Sequence, residues 1–274
     1  MKRLALALAF LLVACGRSEP EWLGYAEGEN ALIGAPQAGW VTSVKVGRGT
    51  EVKVGDVLFT LEDTPQREAR DSAQAQLAAA EQQRTQAASQ MEYATKELAR
   101  NQAMFARRAV SQRDVDAAQN NFNSGAAKLA EAAANSSMAK AALATAQWNL
   151  AERTVRARTM GRVEDIYFRQ GEYAPASAAV IAVLPPQNVY ARFFVPETEL
   201  NTIKPGQDVA IECDGCPENL RAKISFIAQQ AEFTPPVIYS VGNREKLVFK
   251  AEARGAGGLP LRPGLPIGVS PVEP

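Results

Sequence analysis

The chain has 274 residues, with 30 Lys plus Arg, 30 Asp plus Glu and no histidine. The even balance of charge gives no indication of binding to nucleic acid or to an acidic membrane surface. The absence of histidine removes the commonest general base and the commonest metal ligand, which excludes Ser-His-Asp and Cys-His catalytic sites. No spacing of carboxylates or lysines indicates another catalytic site. We therefore predict that the protein is not an enzyme and has no metal centre.

The first residues have the pattern of a bacterial export signal. A positive start, Met1 to Arg3, precedes an apolar run from Leu4 to Ala14 that is too short to cross a bilayer. The run ends in Leu-Val-Ala-Cys-Gly at Cys15, which resembles the lipobox of lipoproteins. We expect residues 1–14 to be a signal peptide and Cys15 to be lipidated. The mature chain is then lipid-anchored in the periplasm, and Gly16 after the cysteine leaves open which membrane holds the lipid. The alternative is a plain secretory signal with an incidental cysteine.

Residues 33–63 alternate apolar and polar positions between glycine-bearing turns, which predicts short half-buried strands. A similar unit occupies residues 154–184, and residues 15–32 form the lipid anchor and linker. Each unit resembles half of a biotinyl/lipoyl carrier domain, a small sandwich with pseudo-twofold symmetry. Carriers hold their cofactor on a lysine between the halves, but here Leu61-Glu62-Asp63-Thr64 leads directly into a helix. We therefore expect the halves to pair with each other and to carry no cofactor.

Residues 64–153 predict a long helical hairpin. From Gln66 to Met160 there is a single glycine and no proline, and good helix formers dominate. Thr64-Pro65 is the expected helix start, a capping hydroxyl followed by proline in the first turn. A break at residues 107–110 and a capping box that begins at Ser111 predict an antiparallel fold-back. At about 1.5 Å per residue, each arm of about 40 residues spans roughly 60 Å.

The hairpin has a seven-residue period, with large apolar residues in one column and small residues in another. This pattern suits two closely spaced helices in a left-handed supercoil. Arg84 and Ser136 each interrupt the large column once. The large positions are Leu77, Met91, Leu98, Phe105, Val115, Phe122, Leu129, Leu143 and Leu150; the small positions are Ala73, Ala80, Ala87, Ala94, Ala118, Gly125, Ala132, Ala139 and Ala146. The alternative is a dimerising coiled coil with no further role, against which the flanking units argue.

Residues 185–256 contain short strands at close spacing, which predicts a small antiparallel β-barrel, and residues 257–274 form a last strand or membrane-proximal tail. Cys213 and Cys216 lie in a tight turn between two of these strands. Because Cys15 is expected to be lipidated and the periplasm is oxidising, we expect the other two cysteines to form a disulfide. A redox-active pair and a zinc site are disfavoured, because no helix follows Cys213 and two further zinc ligands are missing.

The order of these segments resembles that of the HlyD-like membrane fusion proteins, also called periplasmic adaptor subunits. The resemblance implies an α+β fold: a long antiparallel α-helical coiled-coil hairpin inserted in a split lipoyl/biotinyl-like β-sandwich, followed by a small antiparallel β-barrel. It also implies a homo-hexamer that is lipid-anchored at the inner membrane of a Gram-negative bacterium and links an inner-membrane transporter to a TolC-type outer-membrane channel for export or efflux. Less favoured readings are a biotinyl/lipoyl carrier subunit and a structural coiled-coil lipoprotein.

Two local features refine this resemblance. Arg100, Met104 and Ser111 stand at the spacing of an Arg-Leu-Ser pattern with which many family members dock the outer-membrane channel, and the change of leucine to methionine conserves volume. The alternative is that Arg100 belongs to a solvated helix face and Ser111 is only a helix cap. Residues 231–237 and 244–249 resemble the barrel region of adaptors that serve ABC exporters. An ABC permease is therefore favoured as partner over an RND-type pump.

Overall fold

The computed structural model describes residues 22–217, 219–233 and 247–272. It contains a helical hairpin, a β-sandwich of two sheets and a six-stranded barrel, so the expected mixture of helix and strand with a long hairpin is confirmed. The predicted signal peptide, Cys15 and most of the residues that suggested an ABC partner lie outside the described residues. Within the described part of the chain, no helix combines the length and apolar character that a membrane span needs.

The hairpin consists of α1, Thr64–Ala106, and α2, Gln112–Ala151. Its seam is thin, because only one narrow stripe of each arm is buried. The buried residues are Ala73, Ala87, Ala94, Leu98, Ala118, Ala132 and Ser136, all of which stand in the two predicted heptad columns. Gly125 permits close approach of the arms, since a Cβ added there would lie 3.3 Å from the Sδ atom of Met91. The predicted seven-residue seam is therefore confirmed.

The two helix starts differ in how well the sequence predicted them. Ser111 and Asp114 form the expected capping box at the start of α2. At the start of α1, however, Thr64 is the first helical residue and does not act as the cap; Asp63 is the N-cap and makes no side-chain capping bond. The backbone N–H of Thr64 donates to the Glu62 carboxylate at 2.9 Å. Because Thr64 already lies inside the helix, its hydroxyl is not at the N-cap position, and its expected capping role is corrected.

The sandwich is built from both flanks of the hairpin. Its two four-stranded sheets have the orders β2-β9-β7-β4 and β6-β5-β3-β8, so each sheet takes two strands from each flank. The first flank supplies β2 (Ala31–Gly34), β3 (Gly39–Val44), β4 (Glu51–Val52) and β5 (Val57–Leu61), and the second supplies β6 (Thr154–Arg156), β7 (Gly161–Ile166), β8 (Tyr173–Ala174) and β9 (Ala179–Leu184). The prediction that the flanks pair with each other is confirmed by these ladders.

The two sheets have the same topology. If β2, β3, β4 and β5 are exchanged with β6, β7, β8 and β9 respectively, the strand order of one sheet becomes that of the other. Apolar residues from both flanks fill the space between the sheets, and Leu58, Phe59 and Ile181 at its centre are 0% exposed. The core of the sandwich therefore forms only when segments about 95 to 150 residues apart meet.

The barrel closes in the order β1-β10-β13-β12-β11-β14. Its strands are β1 (Trp22–Gly28), β10 (Val189–Pro196), β11 (Asp208–Glu212), β12 (Leu220–Phe233), β13 (Leu247–Arg254) and β14 (Pro266–Pro271). β1 lies within residues 15–32, the predicted anchor and linker or membrane-proximal start, and β14 lies within residues 257–274, the predicted last strand or membrane-proximal tail. β1 pairs with both β10 and β14 and thereby closes the ring. Trp22, 2% exposed, stacks on Phe193 with the ring centres 5.6 Å apart.

Two chain segments cross between sandwich and barrel, and they are bonded to each other. The backbone N–H of Glu29 in the first donates to the carbonyl of Asn188 in the second at 3.2 Å, and the Asn188 side chain donates to the Glu29 carbonyl at 2.8 Å. Gly258, in a barrel loop with φ of 95°, packs against the second segment; a Cβ added there would lie 1.9 Å from the Pro186 carbonyl oxygen. These contacts tie the two crossing segments to each other and the second segment to the barrel.

Candidate functional site

The hairpin tip is a short turn that is fastened on both sides. Backbone N–H groups of Arg107 and Ala109 donate to the carbonyl of Met104 at 3.1 and 3.0 Å, which closes α1. Arg108 has φ of 57°, a left-handed conformation that costs free energy for a residue with a Cβ. The Ser111 hydroxyl then donates to the Asp114 carboxylate at 2.6 Å. These bonds at the two ends of the turn hold the strained residue in place.

The structure places the three predicted docking residues around this turn. Arg100 is exposed, and its guanidinium pairs with the Glu97 carboxylate at 2.5 Å. Met104 is half-buried and lies about one helical turn further along α1, while Ser111 is exposed at the start of α2. The fold-back thus brings Met104 and Ser111 to one end of the rod, with Arg100 one turn behind them.

One tip residue has a different environment from the predicted one. Phe105 stands in the large heptad column, but its side chain is 41% exposed and Met104 is the more buried of the two. The packed seam between α1 and α2 ends before the chain turns. At the tip, the heptad position of a residue therefore no longer decides whether its side chain is buried. Sequence reasoning did not count Phe105 among the surface residues of the tip, although an aromatic residue so close to the predicted break was a usable signal.

The base of the hairpin is fixed to the sandwich by Arg153. This residue is only 8% exposed, and its Nη1 atom donates to the Ala38 carbonyl at 2.9 Å. The guanidinium lies over Gly39, where an added Cβ would come within 2.7 Å of Nη1. Beside it, the Gln37 amide donates to the Asn149 side chain at 2.9 Å. The sequence offered no sign of this role, because an arginine at the end of a helix usually remains in solvent.

An ion cluster joins three barrel strands on their outer face. Arg192 of β10 pairs with Glu27 of β1 and, at 3.0 Å, with Glu252 of β13. It also donates to the Tyr190 hydroxyl at 2.8 Å, and the Arg254 guanidinium lies 4.4 Å from the centre of the Tyr190 ring. Burial raises the pKa of Tyr190 to about 12, so its hydroxyl stays neutral. Sequence analysis missed this cluster because its members are far apart along the chain.

The structure brings Cys213 and Cys216 together in the connection between β11 and β12. Their Cα atoms are 5.3 Å apart, which lies within the span of a disulfide, and both side chains pack against the barrel core. Gly215 between them has φ of 78°, as a tight turn requires. In the part of the chain that the structure describes, no three His, Cys, Asp or Glu side chains cluster closely enough to hold a metal ion.

No family model matches the chain. Among curated proteins, it is 28% identical over 257 residues to a UPF0194 membrane protein of Yersinia pseudotuberculosis serotype O:3, which covers 80% of this chain and 78% of the relative. It is 27% identical over 206 residues to the uncharacterized protein YdhJ of Escherichia coli K12, with 75% of this chain and 67% of YdhJ covered. These relatives share most of their length with the chain.

Solved structures resemble the chain over nearly its whole length. MacA from Actinobacillus actinomycetemcomitans has a TM-score of 0.73 at 20% identity, covering 93% of this chain and 78% of MacA. The membrane fusion protein Spr0693 from Streptococcus pneumoniae R6 has a TM-score of 0.59 at 19% identity, covering 93% of this chain and 99% of Spr0693. The resemblance that the order of segments indicated is therefore confirmed, and the chain has the fold of the membrane fusion proteins.

Proposed function

We propose that the protein is a periplasmic adaptor that links an inner-membrane transporter to a TolC-type outer-membrane channel for export. The observation that carries this proposal is the long hairpin whose base is fixed into a sandwich made from both of its flanks. At about 1.5 Å per residue, α1 with its 43 residues spans roughly 65 Å. A rod of this length with a firm base is suited to reach from one membrane assembly to another.

Each part has a separate task in this proposal. The lipid on Cys15 holds the protein at the inner membrane, and the barrel contacts the transporter. The sandwich is a lipoyl/biotinyl-like domain in which the hairpin replaces the cofactor-bearing tip; the shared topology of its two sheets supports this assignment. Several copies, six by analogy with the family, form a tube. The adaptor carries out no chemical step, and the transporter supplies the energy.

We propose that the hairpin tip docks the outer-membrane channel through Arg100, Met104 and Ser111, with Phe105 as a fourth contact. The exposed Phe105 side chain beside Met104 supports an apolar contact at the end of the rod. Arg107 and Arg108 in the turn are exposed and give the tip positive charge. This composition suits a channel end that offers apolar grooves and carboxylates.

Site-specific crosslinking tests the docking proposal. A photo-crosslinking amino acid at Met104 in the full chain is expected to capture the outer-membrane channel in cells. The same amino acid at Met138, which is 64% exposed along the side of α2, is the matched control and is expected to capture none. Capture from position 138 but not from 104, in cells that still export, would remove the tip assignment.

The transporter is proposed to be of the ABC type, on the pattern of residues 231–237 and 244–249. The test is affinity isolation of the tagged full chain from membranes of its own bacterium. We expect an ABC permease and an outer-membrane channel to be recovered together. Recovery of an RND pump would replace the ABC assignment, and recovery of neither transporter, with export unchanged after deletion of the gene, would refute the adaptor function.

A further inference from the structure

Two aromatic side chains lie exposed side by side on the outer face of one sheet of the sandwich. Trp40 of β3 and Tyr173 of β8 are register partners, and their rings meet edge to face with centres 5.4 Å apart. Trp40 is 56% exposed and Tyr173 is 50% exposed. At the equivalent place in the other sheet, the register partners are Arg162 and Glu51. The equivalent strand pairing in the other sheet is therefore made without aromatic residues. Sheet geometry alone does not account for the exposed aromatic pair.

A groove lies at the other edge of the same sandwich. The end strands β2 and β6 leave a cleft between the two sheets, and apolar side chains form much of its lining. Leu32 at its rim is 61% exposed. End strands also present backbone groups that no neighbour in their own sheet uses. This edge groove is open to solvent, and its lining combines apolar side chains (Leu32, Ile33, Ala35, Ala151 and Val155) with polar and charged ones (Glu152, Thr154, Arg156 and Arg158).

The aromatic pair and the edge groove lie at the same level of the molecule. The carbonyl of Trp40 accepts the backbone N–H of Glu62 at 2.8 Å, directly before α1 begins. The edge groove is lined by Ala151 and Glu152, where α2 ends. Both features therefore adjoin the hairpin base, while β8 and β6 are the opposite end strands of one sheet. A second copy placed beside the first, without a shift along the hairpin axis, would bring the pair of one to the groove of the other.

Acidic side chains adjoin the aromatic pair, and arginines outnumber carboxylates in the lining of the edge groove. Glu62 adjoins Trp40, and the exposed Glu172 adjoins Tyr173. Arg156, Arg158 and Glu152 line the edge groove, so its charged side chains sum to one positive charge. The Arg158 side chain is 84% exposed, and its 3.9 Å distance to the Glu152 carboxylate is too long for a hydrogen bond. The groove thus offers a cation that can approach a carboxylate of another molecule.

We propose that the aromatic pair of one copy seats in the edge groove of the next copy, with Glu172 facing Arg158. Each copy contributes the aromatic pair at one edge and the groove at the other, which makes the contact heterologous. Contacts of this kind form a ring when the rotation between successive copies closes. The proposal rests on the proposed function in one respect, since a ring of copies is what an adaptor tube needs. Aromatic side chains that fill an apolar pocket are the residues expected to dominate the affinity of an interface.

A cysteine pair tests the contact directly. Leu32→Cys and Tyr173→Cys together, in the full chain in membranes, are expected to give a ladder of oxidised dimers, trimers and larger species, because every copy offers both partners. Leu32→Cys with Phe226→Cys is the matched control; Phe226 on the barrel is 47% exposed, and no ladder is expected. A ladder from the first pair alone supports the contact. No crosslink, or dimers only, overturns it, since a symmetric contact stops at two copies.

A mixing experiment tests the direction of the contact. We expect the Trp40→Ala/Tyr173→Ala variant and the Leu32→Arg variant, each alone in detergent, to need at least tenfold more protein to assemble. An equimolar mixture is expected to form dimers and nothing larger, because only one intact pair and one intact groove meet. Unchanged circular dichroism shows that the variants fold. Normal assembly of either folded variant overturns the inference.

Failure of this inference and failure of the adaptor function give different results. If the native chain recovers its transporter and channel but the Leu32–Tyr173 ladder is absent, only the proposed contact is lost. If the ladder forms but neither partner is recovered and export survives gene deletion, the contact stands and the adaptor function is lost.

Discussion

The hairpin and the sandwich use apolar residues in opposite ways. The two arms, 43 and 40 residues long, bury only seven side chains, six of which are apolar and five of which are alanine. The sandwich core buries 13 apolar residues from strands on both sides of the hairpin. The hairpin is therefore stabilised by small contacts between two helices that are neighbours in the sequence. The sandwich depends on a few large contacts between distant segments, and these give the hairpin its base.

The largest expected effect is in the sandwich core. Phe59→Ala, at a side chain that is 0% exposed, is expected to lower the free energy of unfolding by about 3–5 kcal/mol. Leu98→Ala, in the thin hairpin seam, is expected to cost about 2 kcal/mol, at the low end for leucine, because the arms can close over the gap. Urea unfolding followed by circular dichroism measures both. A larger loss for Leu98→Ala would reverse the comparison of the two regions.

Loss of the expected disulfide between Cys213 and Cys216 should have the next largest effect on stability. Replacing Cys213 and Cys216 together with serine is expected to lower the free energy of unfolding by about 2 kcal/mol, because the closed loop is short. The loss belongs to the barrel, so the helical signal of the hairpin should change little. Reduction of the native protein should give the same loss and leave the double variant unaffected. Free thiols in the folded protein, detected by alkylation and mass spectrometry, would show that the disulfide does not form.

The capping box tests local stabilisation at the tip. Ser111→Ala is expected to cost about 1 kcal/mol, confined to the tip and the start of α2. Hydrogen exchange by mass spectrometry should show faster exchange around residues 107–116 and an unchanged sandwich. Gln112→Ala, which keeps both capping partners, is the control. Faster exchange throughout the molecule would mean that the tip is coupled to the base.

The same box predicts a pH dependence. Hydrogen bonds from the Ser111 hydroxyl and backbone N–H lower the pKa of Asp114. Because the folded pKa is the lower one, the stabilisation is complete above the unfolded value of about 3.9 and is lost as pH falls through the folded value. The Ser111 amide resonance, whose N–H donates to Asp114 at 2.9 Å, should follow this titration below pH of about 3.9. Asp114→Asn should abolish it, and a midpoint above the unfolded value would contradict the sign.

The smallest expected effect lies in the middle of the seam. Ser136 is 6% exposed in a column of large apolar residues, while the neighbouring Ser137 is exposed. Ser137→Ala should raise the free energy of unfolding by about 0.5 kcal/mol through helix propensity alone. Ser136→Ala should raise it by about 1 kcal/mol, because it also removes a buried hydroxyl. Equal gains in the free energy of unfolding would show that the Ser136 side chain is as well hydrated as a surface residue.

The parts that could be predicted from the sequence are those with a local cause. The heptad columns, the break before Ser111 and its capping box depend on residues a few positions apart. The ends of the barrel could not be predicted in this way, because β1 finds its partners about 170 and 240 residues away. Arg153 and Arg192 were missed for a related reason. From the sequence alone, a charged side chain is assigned to the solvent-exposed surface, because the distant segments that bury it are not known.

The pairing of β1 with β14 has a consequence for how freely the protein moves. Trp22 lies opposite Val269, so the first and last barrel strands run side by side at the point where the described chain begins. If Cys15 is lipidated as expected, the seven residues from it to Trp22 reach at most about 25 Å when fully extended. Such a short connection would let the barrel tilt at the bilayer surface but would keep it within that distance of the lipid anchor. The orientation of the helical hairpin would then depend on the surface that the barrel contacts.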